Sequence, residues 1–273
     1  MSHWPCVKEF LVRAPEGGSL LVLALPLIVG LMVGSFLNVV IHRLPKGESL
    51  VFPGSRCPAC QTPIRPWDNI PLVSFALLRG RCRTCRHAIS WRYPLVEGLT
   101  GILFALTVAQ FGVTLQTAFL LALLGGLVAI AFIDLDHQII PNAITLPGIP
   151  LGLVAGVFFG EPPLLERVIG ALAGAGFLYL VLLYGGAVYG QDAMGEGDLN
   201  LIALVGAFLG WKGVVVTILL GCLSGSAVGL VLIGLRRLHR REHIPFGPFL
   251  VFGALVAIFW GDALVEWYLR FLR

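Results

Sequence analysis

Long apolar runs alternate with short polar segments along almost the whole chain. Most of these runs are near the 20 residues or so that a helix needs to cross a hydrocarbon core of about 30 Å. Eight runs can be drawn, at about 19–40, 93–111, 115–133, 143–159, 168–189, 199–210, 214–235 and 249–268. The pattern predicts an all-α polytopic membrane protein with about eight transmembrane helices.

The composition supports this class. Hydrophobic residues make up 57% of the chain and charged residues only 12%, which is far outside the soluble globular range. The N-terminus shows no signal-peptide pattern with a small-residue cleavage site, so we expect the first run to remain as a helix. The basic residues cluster in loops as topology signals, so we expect contact with membrane lipid and no nucleic-acid partner.

The chain divides into three regions: 1–42 with the first helix, a polar insertion at 43–92, and a seven-helix membrane domain at 93–273. Cytoplasmic loops collect Lys and Arg. With eight spans, the insertion and the basic loop at 236–241 fall on the same side of the membrane. We therefore expect both on the cytoplasmic side. The opposite side carries isolated charges such as Arg167 and Lys212.

The insertion contains four cysteines in two pairs. These are Cys57, Cys60, Cys82 and Cys85, with C-x2-C spacing within each pair. Two such pairs about 20 residues apart are typical of a zinc ribbon, in which four thiolates leave no open position on the metal. Two disulfides are the alternative, but a reducing cytoplasm disfavours them. The spacing predicts a structural zinc site.

Two acids adjoin apolar runs, which is costly without a functional reason. Asp134 ends the third run and Asp198 precedes the sixth, with two crossings between them, so we expect both at the same membrane face. A carboxylate pair can hold one proton and hydrolyse a peptide by acid-base chemistry. Helix capping is the alternative. Asp136 lies on another helix face than Asp134, and both a catalytic and a solvated turn role are open for it.

The segment Gly195-Glu196-Gly197-Asp198, together with Asp134 placed seven residues before Pro141, resembles the type 4 prepilin peptidases. That family shares the Gly-x-Gly-Asp signature with presenilin-like and preflagellin peptidases. Further segments that resemble the family are those at 34–45, 68–74, 92–97 and 245–249.

The resemblance implies a membrane aspartic endopeptidase of the bacterial inner membrane, with Asp134 and Asp198 as catalytic residues at the cytoplasmic face. Its substrates would be type IV prepilins or type II secretion pseudopilins, cut after a glycine at the end of a basic leader. Many members then methylate the new N-terminus with S-adenosylmethionine. The residues that would bind this cofactor are not identified from the sequence.

Two other classes of function remain as alternatives. A proton- or ion-coupled transporter could use Asp134, Asp136 and Asp198 as a relay, and a non-enzymatic assembly factor could dock partners through the zinc module. The sequence His239-Arg240-Arg241-Glu242-His243 matches an inverted zinc-protease motif. It lies in a basic loop and lacks an evident third ligand, so we disfavour that interpretation.

Overall fold

The computed structural model describes residues 20–189, 195–235 and 245–271. Within these ranges the protein is helical, and the only β-structure is two isolated bridges. The helices are α1 Leu20–Arg43, α2 Val73–Leu77, α3 Arg92–Phe111, α4 Leu115–His137, α5 Asn142–Phe159, α6 Leu164–Tyr189, α7 Glu196–Gly234 and α8 Gly247–Phe271. Seven of them, all except α2, are long and apolar enough to cross a membrane. The protein is therefore a multi-pass helical membrane protein, as predicted.

Helix α7 contains two of the predicted membrane runs. Its 39 residues would span about 58 Å if straight, roughly twice the hydrocarbon core. Gly210 breaks it with φ 70° and ψ −176°. A Cβ at Gly174 would lie 2.6 Å from Ile202 and 2.8 Å from Val214, two residues that a straight helix would hold about 18 Å apart. The chain therefore doubles back at Gly210, and α7 is a helical hairpin made of 196–209 and 211–234.

The described residues fall into two compact units, divided between Ala129 and Ile130 within α4. We call the part before this point the N-terminal unit and the part after it the C-terminal unit. In the N-terminal unit α1 packs against α3. A Cβ at Gly30 would lie 2.8 Å from the Cα of Gly101, so small residues let the two backbones approach closely. The polar insertion connects these two helices.

In the C-terminal unit α7 packs against α5, α6 and α8. Leu201, Ile202 and Val205 of its first segment are completely buried, and so is Leu250 of α8. Glycines allow close contact here too, since a Cβ at Gly221 would lie 3.1 Å from the side chain of Leu250. The first segment of α7 thus forms the centre of this unit.

Arg167, which the sequence placed in a loop, is instead a buried residue in the first turn of α6, with 3% of its surface exposed. Its guanidinium donates to the backbone carbonyls of Glu161, Pro162 and Gly152 at 2.9, 2.9 and 3.0 Å. It also donates to Ala207 of α7 at 3.3 Å. The charge is tolerated because carbonyl oxygens accept its hydrogen bonds. Arg167 therefore ties α5 to the first segment of α7.

Candidate active site and metal centre

Asp134 lies in the last turn of α4, where the chain reverses direction. The amide of Gln138 donates to the carbonyl of Asp134 at 2.9 Å. Gln138 adopts a left-handed conformation with φ 54°, which stops the helix. Pro141 then precedes α5 with extended backbone angles. These local features bring the start of α5 close to the end of α4.

Asp198 lies in the first turn of α7, and contacts with the loop between α4 and α5 fix its position. A Cβ at Gly197 would lie 2.7 Å from the Cβ of Ile140, so only glycine permits this approach. One turn further on, the side chain of Asn200 donates from Nδ2 to Asn142 Oδ1 at 2.9 Å. Asp198 therefore lies at the same end of the C-terminal unit as Asp134, as the two intervening crossings require.

The start of α8 completes this arrangement. The amide of Gly247 donates to Oδ2 of Asp134 at 2.9 Å. Asp134 and Asp198 are 5% and 6% exposed. Ile140 lies beside Gly197, the neighbour of Asp198, and also beside Gly247, which contacts Asp134. Oδ1 of Asp198 is buried and has no hydrogen-bond partner within the described residues. A buried acceptor of this kind requires a donor, and a water molecule or a protonated carboxyl group can provide one.

Other predicted site residues lie elsewhere or outside the described ranges. Asp136 is exposed at the end of α4, in contrast to the buried Asp134. The His239 to His243 motif lies outside the described residues. Sequence reasoning missed the Gly247 amide and the Asn142 to Asn200 hydrogen bond. A glycine at position 247 between Pro245 and Pro248 was the available signal for the first of these.

The four cysteines of the insertion come from two loops of the same geometry. In the first, the amide of Cys57 bonds to the carbonyl of Thr62, and the amide of Gln61 bonds back to Cys57. In the second, the amide of Cys82 bonds to the carbonyl of His87, and the amide of Arg86 bonds back to Cys82. Gln61 and Arg86 are both left-handed, with φ 56° and 60°. The two loops are therefore structural repeats, each presenting one C-x2-C pair.

The sulfur atoms of these loops fit a tetrahedral metal. All four Sγ atoms lie within 4.8 Å of one another. Cys57 Sγ and Cys85 Sγ are 3.8 Å apart, which matches the edge of about 3.8 Å expected for Zn–S bonds of about 2.3 Å. The hydrogen bonds with Thr62 lower the pKa of the Cys60 thiol to about 6, whereas burial and hydrogen bonds with the other three cysteines raise the pKa of the Cys85 thiol to about 12. This four-cysteine cluster, which resembles a zinc ribbon, can hold zinc.

An ion pair fixes the short 3-10 helix Pro66–Asn69 against the second cysteine loop. The guanidinium of Arg83 donates to both carboxylate oxygens of Asp68, at 2.6 Å from Nη2 and 2.9 Å from Nε. Such a bidentate pair has a defined geometry as well as a favourable charge. The hydrogen bonds and the charge of Arg83 lower the pKa of Asp68. The pair therefore links the interior of the insertion to its metal-binding part.

Two buried carboxylates at one end of the helices of the C-terminal unit, and a four-cysteine cluster within the N-terminal unit, are the features expected of a membrane-embedded aspartic peptidase with a structural metal site. Two family models match the chain, the bacterial peptidase A24 N-terminal domain at residues 28–111 and the type IV leader peptidase family at residues 121–230. The chain belongs to the type IV leader peptidase family.

Relatives in several bacteria carry the name prepilin leader peptidase/N-methyltransferase. The protein of Pseudomonas aeruginosa is 40% identical over 268 residues, covering 90% of this chain and 92% of the relative. The protein of Aeromonas hydrophila is 41% identical over 288 residues, covering 95% and 98%, and that of Neisseria gonorrhoeae is 40% identical over 275 residues, covering 90% and 95%. No solved structure matches the chain. The predicted enzyme class, a leader peptidase with N-methyltransferase activity, is confirmed, and the transporter alternative is not favoured.

Proposed function

We propose that Asp134 and Asp198 are the catalytic residues of this peptidase. The observation that carries the proposal is the meeting of two buried carboxylates where α4 ends and α5, α7 and α8 begin. Two neighbouring carboxylates readily hold one proton between them. The ionised group takes a proton from water as the water oxygen attacks the peptide carbonyl, and the protonated group donates to the carbonyl oxygen. Collapse of the resulting adduct breaks the C–N bond as the departing nitrogen takes up a proton.

The substrates we propose are type IV prepilins or type II secretion pseudopilins, cut after a glycine. Such a precursor has an apolar helix in the membrane and a short basic leader at its surface. Carboxylates located at the ends of membrane helices can meet the junction between these parts without extracting the apolar helix. The insertion is rich in basic residues, which supports a cytoplasmic position for it, and hence the bacterial inner membrane as the location of the protein.

We also propose that the methyl group is transferred to the new N-terminus from S-adenosylmethionine, which supplies it on a positively charged sulfur. The names of the relatives support this step. In the N-terminal unit, the side chain of Asn38 is buried and carries an amide of the type that can bind amino and hydroxyl groups. Zinc in the four-cysteine cluster would have a structural role, because four thiolates leave no position for a substrate.

Cleavage by purified full-length protein in lipid vesicles tests the catalytic assignment. The substrate is a prepilin with a glycine before the scissile bond. We expect Asp134→Asn and Asp198→Asn each to reduce cleavage at least a thousandfold, since each removes one member of an acid-base pair. Asp136→Asn is the matched control, and it should cleave at close to the wild-type rate. Normal cleavage by either of the first two variants would refute the assignment.

A further inference from the structure

The N-terminal unit contains a buried carboxylate that the peptidase reaction does not use. Glu97, in the second turn of α3, is 8% exposed. Its Oε2 accepts a hydrogen bond from the amide of Leu72 at 2.9 Å, and the hydroxyl of Ser35 also bonds to it. A Cβ at Gly34 of α1 would lie 2.7 Å from the Cα of Glu97. The carboxylate is thus enclosed between α1, α3 and the insertion.

Three separate segments of the chain meet around Glu97. They are 34–45 in and after α1, 68–74 in the insertion, and 92–97 at the start of α3. Besides the contacts of Glu97 itself, the buried Asn38 donates from its side chain to the carbonyl of Tyr93 at 3.2 Å. Neither the carboxylate pair nor the metal cluster accounts for this convergence of three segments.

The turn that Glu97 holds is strained. Leu72 has φ 58° and ψ −45°, and the amide of Val73 bonds to the carbonyl of Pro71 at 2.6 Å. These values describe a γ-turn of the rare form, in which an L-residue has a positive φ. A glycine would form this turn without strain from a Cβ. Strained backbone at a residue with a side chain is found mainly at functional sites.

This arrangement, which we call the Glu97 clamp, lies within the N-terminal unit. It consists of Glu97, Leu72, Ser35, Asn38 and Tyr93. Asp134 and Asp198 belong to the other compact unit. A carboxylate is expensive to bury, and a turn alone could be stabilised by a neutral acceptor. An enzyme with two activities needs groups for the second reaction, and the clamp brings polar groups and a strained turn together in one place.

We infer that Glu97 is a positioning residue for the methylation step, holding the turn at Leu72 as one wall of the site that receives the new amino terminus. This inference rests on the proposed methyltransferase reaction. In that reaction the amine nitrogen forms a bond to the methyl carbon as the carbon–sulfur bond breaks, and the nitrogen then loses a proton to water. Glu97 takes no part in the bond changes and acts through the segment 68–74.

The experiment follows both reactions on the same substrate. Full-length protein in vesicles is incubated with prepilin and S-adenosylmethionine, and mass spectrometry counts cleaved and methylated N-termini. For Glu97→Ala we expect cleavage within about twofold of wild type and methylation reduced about tenfold or more, because the Leu72 amide loses its acceptor. Glu97→Gln should recover much of the methylation, because its amide oxygen can still accept this hydrogen bond. Glu48→Gln, at an exposed acid of the same insertion, should change neither reaction.

Two further measurements separate positioning from general damage. Hydrogen exchange should show faster exchange of the Leu72 amide in Glu97→Ala, and zinc content should equal that of wild type. Wild-type methylation by Glu97→Ala, or an equal loss of cleavage and methylation, would overturn the inference. Cleavage without methylation by the wild-type protein would instead refute S-adenosylmethionine as the methyl donor, and the inference with it.

Discussion

The backbone amide of Gly247 donates to Oδ2 of Asp134 at 2.9 Å, across 113 residues of sequence. The same geometry leaves no room for a side chain at position 247, where a Cβ would lie 2.6 Å from that oxygen and 3.3 Å from the side chain of Ile140. Asp134 is thus held by a donor that every residue except proline possesses. Glycine is required at position 247 because a side chain would clash with Asp134, and not because glycine provides a particular hydrogen-bond donor.

Replacement of this glycine should therefore impair the peptidase without removing any functional group. In Gly247→Ala the added methyl group must displace either the carboxylate of Asp134 or the start of α8. Misplacement of a reacting group by about 1 Å can cost on the order of a hundredfold in rate, so we expect prepilin cleavage to fall between about tenfold and a hundredfold. Initial rates of cleavage in vesicles measure this effect.

Gly261→Ala is the matched control, because it makes the same change in the same helix. There a Cβ would meet only Ala257 at 3.9 Å, an ordinary van der Waals distance. We expect wild-type cleavage from this variant. Equal rates for the two alanine variants would show that the close approach of Gly247 to Asp134 does not matter for catalysis.

Arg167 should be important for the stability of the C-terminal unit. Its replacement by methionine keeps an apolar stem but removes all four hydrogen bonds, and the loop carbonyls of Glu161 and Pro162 lose their donor. The carbonyl of Gly152 lies in the interior of α5 and keeps its helical hydrogen bond. Each unsatisfied buried acceptor costs about 1–3 kcal/mol, so a loss of roughly 2 kcal/mol or more in unfolding free energy is expected. Heat-inactivation of cleavage in detergent would be markedly faster for Arg167→Met.

Arg270→Met provides the comparison for this experiment. Arg270 is exposed near the end of α8 and pairs only loosely with Glu266 at 3.5 Å. Such surface pairs contribute about 1 kcal/mol or less, so inactivation should remain close to that of wild type. Similar inactivation of the two variants would mean that the hydrogen bonds of Arg167 do not stabilise the fold.

Much of the architecture could be predicted from the sequence because hydrophobic length and charge determine it. The eight apolar runs are all helical, and the two runs joined as α7 are separated at Gly210. The expectation that Asp134 and Asp198 lie at one end depended only on counting the crossings between them. The cysteine spacing likewise predicted the cluster that the structure forms.

The remaining features depend on contacts between distant backbone atoms, which residue types do not reveal. Arg167 was predicted to be a charged loop residue, because the sequence does not show that four carbonyl groups surround its guanidinium. The donor to Asp134 is a backbone amide, so no particular side chain marks it. The positive φ of Leu72 could not be predicted either, because leucine rarely adopts one. The hydrogen bond from its amide to the distant Glu97 helps to hold this conformation.

The insertion should lose stability in acid, because protonation of Asp68 removes its ion pair with Arg83. Because Arg83 lowers the pKa of Asp68, the carboxylate stabilises the folded insertion at pH values above the usual Asp pKa of about 4. This contribution is lost as the pH falls through the lowered value. In Asp68→Asn this contribution should be absent at every pH. The stability of the insertion should therefore differ between the two proteins at neutral pH and become similar below about pH 4.

Hydrogen exchange of peptides covering 62–90, measured at several pH values, tests this expectation. Arg83→Lys is an informative third variant, because it keeps the positive charge but cannot form the bidentate pair. It should lie between wild type and Asp68→Asn at neutral pH. A difference in exchange rate between wild type and Asp68→Asn that grows on acidification would contradict a stabilising role of the ionised carboxylate.

Metal removal should unfold the insertion while leaving the membrane helices folded. The insertion has few buried apolar residues, and Cys57 is the only one of its residues in the buried hydrophobic core of the described chain. Small modules of this kind depend on their metal for stability. A strong chelator, or Cys57→Ser, should accelerate hydrogen exchange over residues 50–90, with no comparable change in α5 to α8. Unchanged exchange after confirmed loss of zinc would exclude a structural role for the metal.

The left-handed residues of the two cysteine loops allow a finer test of the same site. Gln61 and Arg86 occupy equivalent positions, each four residues after the first cysteine of its loop, with φ 56° and 60°. This conformation costs an L-residue about 1–2 kcal/mol and is least accessible to β-branched side chains, whereas glycine adopts it freely. Gln61→Val should therefore release zinc to a chelator about tenfold faster than wild type, and Gln61→Gly should release it no faster.

The same pair of substitutions at Arg86 should behave alike, because the loops are structural repeats. Equal zinc release from the valine and glycine variants would show that the left-handed turn does not shape the metal site.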